Sequence, residues 1–374
     1  MTEERTYRKE PFRIMISGGG TGGHIYPAIS IAQALKKTLA DVEIRFVGAQ
    51  GKMEMIKVPE AGFQIIGLWI SGLQRRLTIG NLLFPIKLIA SIYKSFRLLA
   101  EFRPDAVVGV GGYASGPLLI AAFFKRIPTL IQEQNAYAGL TNKWLAKYAH
   151  TVCVAHQGMN AYFPQEKIVV TGNPIRNDIK LPAEQRKNAF NHFELDNQKP
   201  TVLIIGGSLG ARTINEAMIR SLHLFIAEQV QVIWQTGGYY HAEILERTKE
   251  ADLSGVVIRD FIREMKYAYA VADVVISRSG ALSIAELMLT RKPAIMVPSP
   301  NVAEDHQTKN AQALVAENAA VLVSDQKAIE EMVPTAIQLI KQPERRNELS
   351  ENIARLAHPN AASEIVNEII KLVA

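Results

Sequence analysis

Short apolar runs alternate with amphipathic stretches of helix length along the whole chain. In the first half the runs are Phe12–Ser17 (FRIMIS), Val42–Val47, Phe63–Leu68, Asp105–Val110, Thr129–Gln132, Thr151–Val154 and Lys167–Thr171. In the second they are Thr201–Ile205 (TVLII), Gln231–Gln235, Val256–Arg259, Asp273–Ser277, Ala294–Pro298 and Ala320–Val323. Runs that are apolar on both faces, spaced by helix-length segments, predict parallel sheets covered by helices. Each half opens identically, with a strand, a glycine-rich loop and a helix: FRIMIS–GGGTGGH–IYPAISIAQALKK, then TVLII–GGSLGA–RTINEAMIRSL. The polar stretch from Asn177 to Pro200 reads as the linker between them. The expected fold class is therefore α/β, with two Rossmann-like domains whose parallel sheets face a deep cleft. Residues 1–178 form the first; linker and second domain make up 179–374. Ligands of open α/β sheets bind beyond the carboxyl ends of the strands, so the cleft is expected to hold the site.

The loop Gly18-Gly19-Gly20-Thr21-Gly22-Gly23-His24 follows a strand directly, and Gly18, Gly20 and Gly23 satisfy G-x-G-x-x-G. A dinucleotide site would also want a carboxylate at the end of the second strand, which here reads Phe46-Val47-Gly48-Ala49-Gln50. The dehydrogenase reading ranks low for that reason. A tight turn explains one or two glycines, whereas five in six positions suit backbone amides approaching a phosphate at a helix N-terminus. Pro27 is placed to start that helix. His24 closes the loop, and its near-neutral ordinary pKa suits proton transfer.

Gly206-Gly207-Ser208-Leu209-Gly210 matches G-x-S-x-G, the nucleophile elbow of hydrolases, with Asp273 and His306 as conceivable partners. That reading leaves the first loop and the duplicated architecture unused, so phosphate binding by Ser208 and neighbouring amides is preferred. Arg278-Ser279-Gly280-Ala281-Leu282-Ser283-Ile284-Ala285-Glu286 follows another strand, and Glu286 could accept from two ribose hydroxyls. No D-x-D and no H-x-x-H occurs, so the sequence signals no metal.

Composition narrows the class. The 374 residues carry 42 Lys+Arg against 36 Asp+Glu, a net charge of +6, with 48% apolar residues, the balance of a globular protein. Residues 1–187 hold 24 basic and 13 acidic side chains, or +11; residues 188–374 hold 18 and 23, or −5. A basic half is compatible with nucleic acid, an anionic membrane or a phosphorylated substrate. The single cysteine, Cys153, excludes an internal disulfide and fits a reducing cytoplasm. The polar N-terminus MTEERTYRKE lacks a secretory apolar region, and Leu82 to Tyr93 is broken by Pro85 and Lys87, so no membrane span is expected.

GGGTGGH, Val110-Gly111-Gly112-Tyr113-Ala114-Ser115-Gly116-Pro117, Gln132-Glu133-Gln134-Asn135, Gly172-Asn173-Pro174-Ile175-Arg176, GGSLGA, RSGALSIAE and DHQTKNA occur in that order. Together, from about Arg13 to the last helix, they closely resemble the MurG family of GT-B glycosyltransferases. The resemblance implies inverting transfer of N-acetylglucosamine (GlcNAc) from UDP-GlcNAc to undecaprenyl-diphospho-MurNAc-pentapeptide, turning lipid I into lipid II in peptidoglycan synthesis. Another lipid-directed UDP-sugar transferase or a UDP-GlcNAc epimerase of the same fold is the alternative. It further implies donor contacts at Thr21, Gly22, Gly23, Asn135, Arg176, Ser208, Ile262, Ala281, Leu282, Ser283, Glu286 and Gln307, with Ile262 meeting uracil and Glu286 the ribose. His24 is the expected base. No cofactor is implied. The last helix is expected to pack back on the first domain. Some members carry two glutamines where this chain has His306-Gln307, so only Gln307 is carried over.

A lipid acceptor requires reach to a bilayer. From Ala61 to Ala100 there is no Asp or Glu, yet Arg75, Arg76, Lys87, Lys94 and Arg97 are present. Leu82, Ile86, Ile89, Tyr93 and Phe96 recur at helical spacing and are expected to pack mostly on the sheet. Leu83, Phe84 and Leu88, beside Arg75, Arg76 and Lys87, are expected to enter anionic lipid. The chain is thus expected to sit peripherally on the cytoplasmic face of the bacterial plasma membrane. A nucleic-acid partner is not expected.

Overall fold

The computed structural model describes residues 11–72, 82–175, 179–207, 209–302 and 305–373. The chain divides into two compact units, one of residues 1–175 with 360–374 and one of residues 176–359.

The first unit holds seven parallel strands in the order β3-β2-β1-β4-β5-β6-β7: β1 (Phe12–Ser17), β2 (Val42–Ala49), β3 (Gln64–Leu68), β4 (Ala106–Gly109), β5 (Thr129–Glu133), β6 (Thr151–Val154) and β7 (Ile168–Val170). Its helices include α1 (Gly22–Thr38), α2 (Glu54–Glu60), α3 (Phe84–Phe102), α4 (Ser115–Phe124) and α5 (Leu140–Leu145). Strand β1 explains why both faces had to be apolar. Met15 joins Val47, Leu118 and Leu99 in one core, while Ile14 and Ile16 join Ile25, Ile31 and Leu35 of α1 in the other.

The second unit holds six parallel strands in the order β10-β9-β8-β11-β12-β13. These are β8 (Thr201–Ile205), β9 (Gln231–Gln235), β10 (Val256–Arg259), β11 (Val274–Ser277), β12 (Ala294–Met296) and β13 (Val321–Leu322). Helices α6 (Arg186–Phe193), α7 (Arg212–Ala227), α8 (His241–Thr248), α9 (Met265–Val271), α10 (Ala281–Thr290), α11 (His306–Ala316), α12 (Ala328–Ile340) and α13 (Pro343–Arg355) accompany them. The final helix, α14 (Ala361–Val373), buries Ile365, Val366 and Ile369 against α1 in the first unit's core.

Two stretches differ from the sequence expectation. The polar segment taken as linker contains α6, which buries Ala189, Phe190 and Phe193 and packs on α9. Three apolar positions on one face suffice for a helix that is otherwise polar. Helix α3 is rotated relative to the expected orientation. Its buried face is Ser91, Ser95, Leu98, Leu99 and Phe102, with Phe84 and Leu88 against the same core. Phe84 is therefore turned inward, and Leu82 (77% exposed), Ile89 (69%) and Tyr93 (66%) form the outer face. The reason is that two buried serines hide the packing face from a hydrophobicity pattern. Ser91 Oγ donates to Trp69 O (3.0 Å) and Ser95 Oγ to Ser91 O (2.8 Å), so neither hydroxyl is left unsatisfied. Among the described residues no helix is long and apolar enough to cross a membrane.

Candidate functional site

In the first unit, β1 and β4 are neighbours at the point where strand order reverses, the place where such sheets bind ligands. Each runs into a glycine turn. Gly112 has φ +78°, and a Cβ there would stand 2.3 Å from Gly19 O, so the two turns meet backbone to backbone. Gly19 is confined differently, since its Cβ would fall 2.2 Å from Glu54 Oε1. Glu54, from α2, is fully buried. Its Oε2 accepts from Gly20 N (3.1 Å) and its Oε1 from Ala49 N (3.0 Å), fixing the loop from inside.

His24, in the first turn of α1, lies between the two turns. Its Nδ1 is 3.2 Å from Gly19 O and 3.2 Å from Thr21 Oγ1. A carbonyl can only accept, so Nδ1 donates to it, and in the neutral ring the lone pair then sits on Nε2. The Nε2 edge packs on Gly111, where a Cβ would stand 3.0 Å away. That is the tautomer a general base needs.

Behind these turns, the buried Glu133 accepts from Asn135 N (3.1 Å), Asn135 Nδ2 (3.3 Å), Gly139 N (3.1 Å) and Asn142 Nδ2 (2.9 Å). Gln132 Nε2 donates to Asn173 Oδ1 (3.1 Å), and Asn173 Nδ2 to Gln134 O (2.9 Å). Gln134 Nε2 in turn donates to Val110 O (2.8 Å). The network ties the segments after β4, β5 and β7 into one rigid floor.

The second unit repeats the plan at β8 and β11. Gly210 has φ +85°, and its Cβ would lie 2.2 Å from Thr236 O, so the turn after β8 packs tightly on the turn after β9. Gln235, 3% exposed, bridges two loops: Nε2 donates to Gly207 O (3.2 Å), and Oε1 accepts from Ile262 N (3.1 Å). Helix α10 begins at the carboxyl end of β11, with Ala281, Leu282 and Ser283 in its first turn. One turn on, Glu286 Oε2 accepts from the hydroxyl of the buried Tyr269 (2.9 Å). Gln307 Oε1 accepts from Ser299 N (2.9 Å), so its Nε2 is the group it can offer a ligand. Among the described residues no group of three or more His, Cys, Asp or Glu side chains is placed to hold a metal.

Residues 14–154 match the Glycosyltransferase family 28 N-terminal domain, and residues 201–365 match the Glycosyltransferase family 28 C-terminal domain. The chain belongs to glycosyltransferase family 28. A relative from Cytophaga hutchinsonii is 51% identical over 365 residues, 98% of each chain. One from Parabacteroides distasonis is 52% identical over 362 residues, 97% of this chain and 98% of its own. Both are named UDP-N-acetylglucosamine--N-acetylmuramyl-(pentapeptide) pyrophosphoryl-undecaprenol N-acetylglucosamine transferase. The crystal structure of Acinetobacter baumannii MurG superposes with a TM-score of 0.78 at 28% identity, covering 96% of this chain and all of that one. UDP-GlcNAc 2-epimerase from Neisseria meningitidis shares the fold at a TM-score of 0.65 and 17% identity, covering 96% of this chain and 100% of its own.

Within this family 28 fold, Thr21, Gly22, Gly23, His24 and Asn135 lie at strand carboxyl ends of the first unit. Ile262, Ala281, Leu282, Ser283, Glu286 and Gln307 lie after strand ends in the second. Arg75, Arg76, Arg176 and Ser208 lie outside the described residues. Leu83 is exposed, whereas Lys87 is half-buried and reaches back to Ser71 Oγ (3.2 Å). The hydrolase pairing of Asp273 with the GGSLGA loop fails on geometry. Asp273 precedes β11 and accepts from Thr201 N (2.8 Å) at the start of β8, so it lies at the amino-terminal end of the parallel strands, whereas that loop follows the carboxyl end. Arg278 is likewise structural, bonded to Val297 O, Pro298 O and Asp325. Sequence reasoning missed Glu54, Gln235 and Tyr269. Each is a lone polar residue in an unremarkable stretch, and only the fold reveals its partner.

Proposed function

We propose that this chain transfers GlcNAc from UDP-GlcNAc to the 4-hydroxyl of MurNAc-pentapeptide carried on undecaprenyl diphosphate, converting lipid I to lipid II. The observation that carries this is the 51–52% identity, over nearly the full length, to enzymes named for that transfer. The paired glycine turns support it. The acceptor 4-hydroxyl attacks the anomeric carbon from the face opposite UDP, the bond to the UDP oxygen breaks, and configuration inverts through an oxocarbenium-like transition state. His24 Nε2 takes the hydroxyl proton. The GGSLGA amides, Ser208 and Arg176 hold the departing diphosphate, the last by a bidentate guanidinium contact. Glu286 receives the ribose, oriented by Tyr269. Uracil binds near Ile262, exchanging the amide bond now made to Gln235. In the second unit Gln307, with Ala281, Leu282 and Ser283, meets the donor's sugar and phosphates; Thr21, Gly22, Gly23 and Asn135 are the donor contacts carried by the first unit.

The enzyme works as a peripheral protein on the cytoplasmic face of the plasma membrane, against anionic lipid. Supporting this, Leu82 and Leu83 just before α3, and Ile86, Ile89 and Tyr93 along it, are exposed. Exposed rings continue beside it: Phe124 lies 6.4 Å from the half-buried Phe96, and the Phe123–Tyr148 and Trp144–Tyr148 centroids are 4.7 and 5.8 Å apart. Between Ala61 and Gln165 the only acids are Glu101, Asp105 and Glu133, and Glu133 is buried. Aromatics and cations with few acids suit the headgroup boundary. That chemistry favours lipid over nucleic acid.

Release of UDP tests the reaction: it should appear only when UDP-GlcNAc and lipid I are both present. UDP release from donor alone, or conversion of UDP-GlcNAc to an epimer, would refute it. Ile86→Asp with Ile89→Asp should abolish flotation with phosphatidylglycerol vesicles while preserving transfer to a short-chain acceptor; retained flotation would remove the membrane face.

A further inference from the structure

A cavity of about 390 Å³ opens in the second unit, away from the glycine turn after β8, between the segment before α6 and helices α9 and α10. Lys180, Arg186, Lys266, Arg291 and Lys292 line it, and among the described residues no carboxylate does. Lys180, Arg186 and Arg291 are exposed at its mouth; Lys266 and Lys292 are half-buried. Ile179, Leu181 and Leu289 supply apolar wall. Two of the cations have an internal use. Arg186 Nε donates to Ala270 O (3.1 Å) and Lys292 Nζ to Ala272 O (2.7 Å), both carbonyls at the end of α9. Two cations suffice to satisfy that helix end. Lys266 Nζ stands over the Tyr267 ring (5.4 Å). Among the described residues that leaves Lys180 and Arg291 lining the same concavity with no such use, where each added cation raises the cost of holding the others. Lys266, Arg291 and Lys292 come from the half of the chain from 188 onward, which is net acidic, so these three run against that background.

We propose that this cavity is a binding site for a small phosphorylated metabolite, distinct from the donor site. Its volume suits a small molecule, and its donors suit a phosphate or diphosphate. The site is also wired to the donor pocket. Tyr269 lines the cavity and donates to Glu286 Oε2, and Thr290, also in the lining, donates through Oγ1 to Glu286 O (2.7 Å). A ligand pressing on either side chain shifts the carboxylate read above as the ribose acceptor; this coupling, unlike the site itself, rests on that reading.

The test is titration of inorganic pyrophosphate into the full chain already saturated with UDP, which occupies the donor site. Saturable binding is expected. Arg291→Ser with Lys292→Met should weaken it about tenfold or more while UDP affinity stays within about twofold, since each lost charged contact is worth roughly a factor of ten. Lys180→Glu, at the exposed mouth, should weaken it as well and does not disturb packing. Absence of saturable binding under UDP, or binding indifferent to all three substitutions, would overturn the proposal. So would phosphatidylglycerol vesicles that bind through Arg291 and Lys292 while pyrophosphate does not. If pyrophosphate binds but leaves UDP-GlcNAc affinity unchanged, the site stands and the link through Glu286 falls.

Discussion

Gly19→Ala separates steric from conformational reasons for the glycines in the first turn. Gly19 does not need a positive φ; it needs room. An added Cβ would lie 2.2 Å from Glu54 Oε1 and 2.5 Å from Cδ, distances that cannot be held. Glu54 is fully buried, so its carboxylate has to rotate away and give up Gly20 N and Ala49 N. Charge-assisted bonds are worth about 1.5–3 kcal/mol each, so losing both costs about 3–6 kcal/mol, a large part of a domain's stability. Reduced entropy of the unfolded chain offsets only about 0.4–1 kcal/mol. Gly51→Ala is the control. Gly51 has φ +67° with nothing within 4 Å of its Cβ, so it should lose only about 1 kcal/mol. Urea unfolding of both variants measures the difference, and UDP-GlcNAc transfer should fall with Gly19→Ala alone. A double variant with Glu54→Ala should be less unstable than the sum, because the clash and the bonds involve one carboxylate. Equal losses for Gly19→Ala and Gly51→Ala, or strict additivity, would refute the reasoning.

Tyr269→Phe removes the bond that orients Glu286 and should raise the KM for UDP-GlcNAc about tenfold with little change in kcat; an unchanged KM in steady-state kinetics would free Glu286 from that dependence. His24→Ala should lower kcat about a hundredfold or more at unchanged UDP affinity; a near-normal kcat would remove it as the base. Burial pushes the Lys292 ammonium from 10.5 down to about 8, against the pull of Asp273 and with Arg186 adding to the fall. Between those two values the unfolded chain holds a proton that the folded chain lacks, so stability rises with pH there; below 8 both are protonated and a cost of about 3 kcal/mol is present in full. Lys292→Met loses the bond to Ala272 but should still gain about 1–2 kcal/mol at pH 7 and little at pH 11 in urea unfolding; destabilisation at pH 7 would contradict this.

The strands were legible because parallel sheets bury both faces, and all thirteen runs read from the sequence fall on β1 to β13 within two residues at either end. The glycine turns were legible for a related reason: backbone must approach backbone, as Gly112 does Gly19. Helix α3 was misread because its packing face contains Ser91 and Ser95, whose hydroxyls find carbonyls that no periodicity can display. Helix α6 escaped because its buried positions are few. Glu54, Gln235 and Tyr269 were invisible for a further reason, since each acts through hydrogen bonds to residues 17 to 34 positions away. Pattern reading finds elements and turns; it does not find the single buried side chain that holds a turn in place.

Mass and linkage of the product decide the central claim. Incubated with UDP-GlcNAc and lipid I, the chain should add one N-acetylhexosamine to the acceptor, and proton couplings at the new anomeric carbon should show a β bond to the 4-oxygen of MurNAc. An acceptor of unchanged mass, or an α-linked product, would contradict the account.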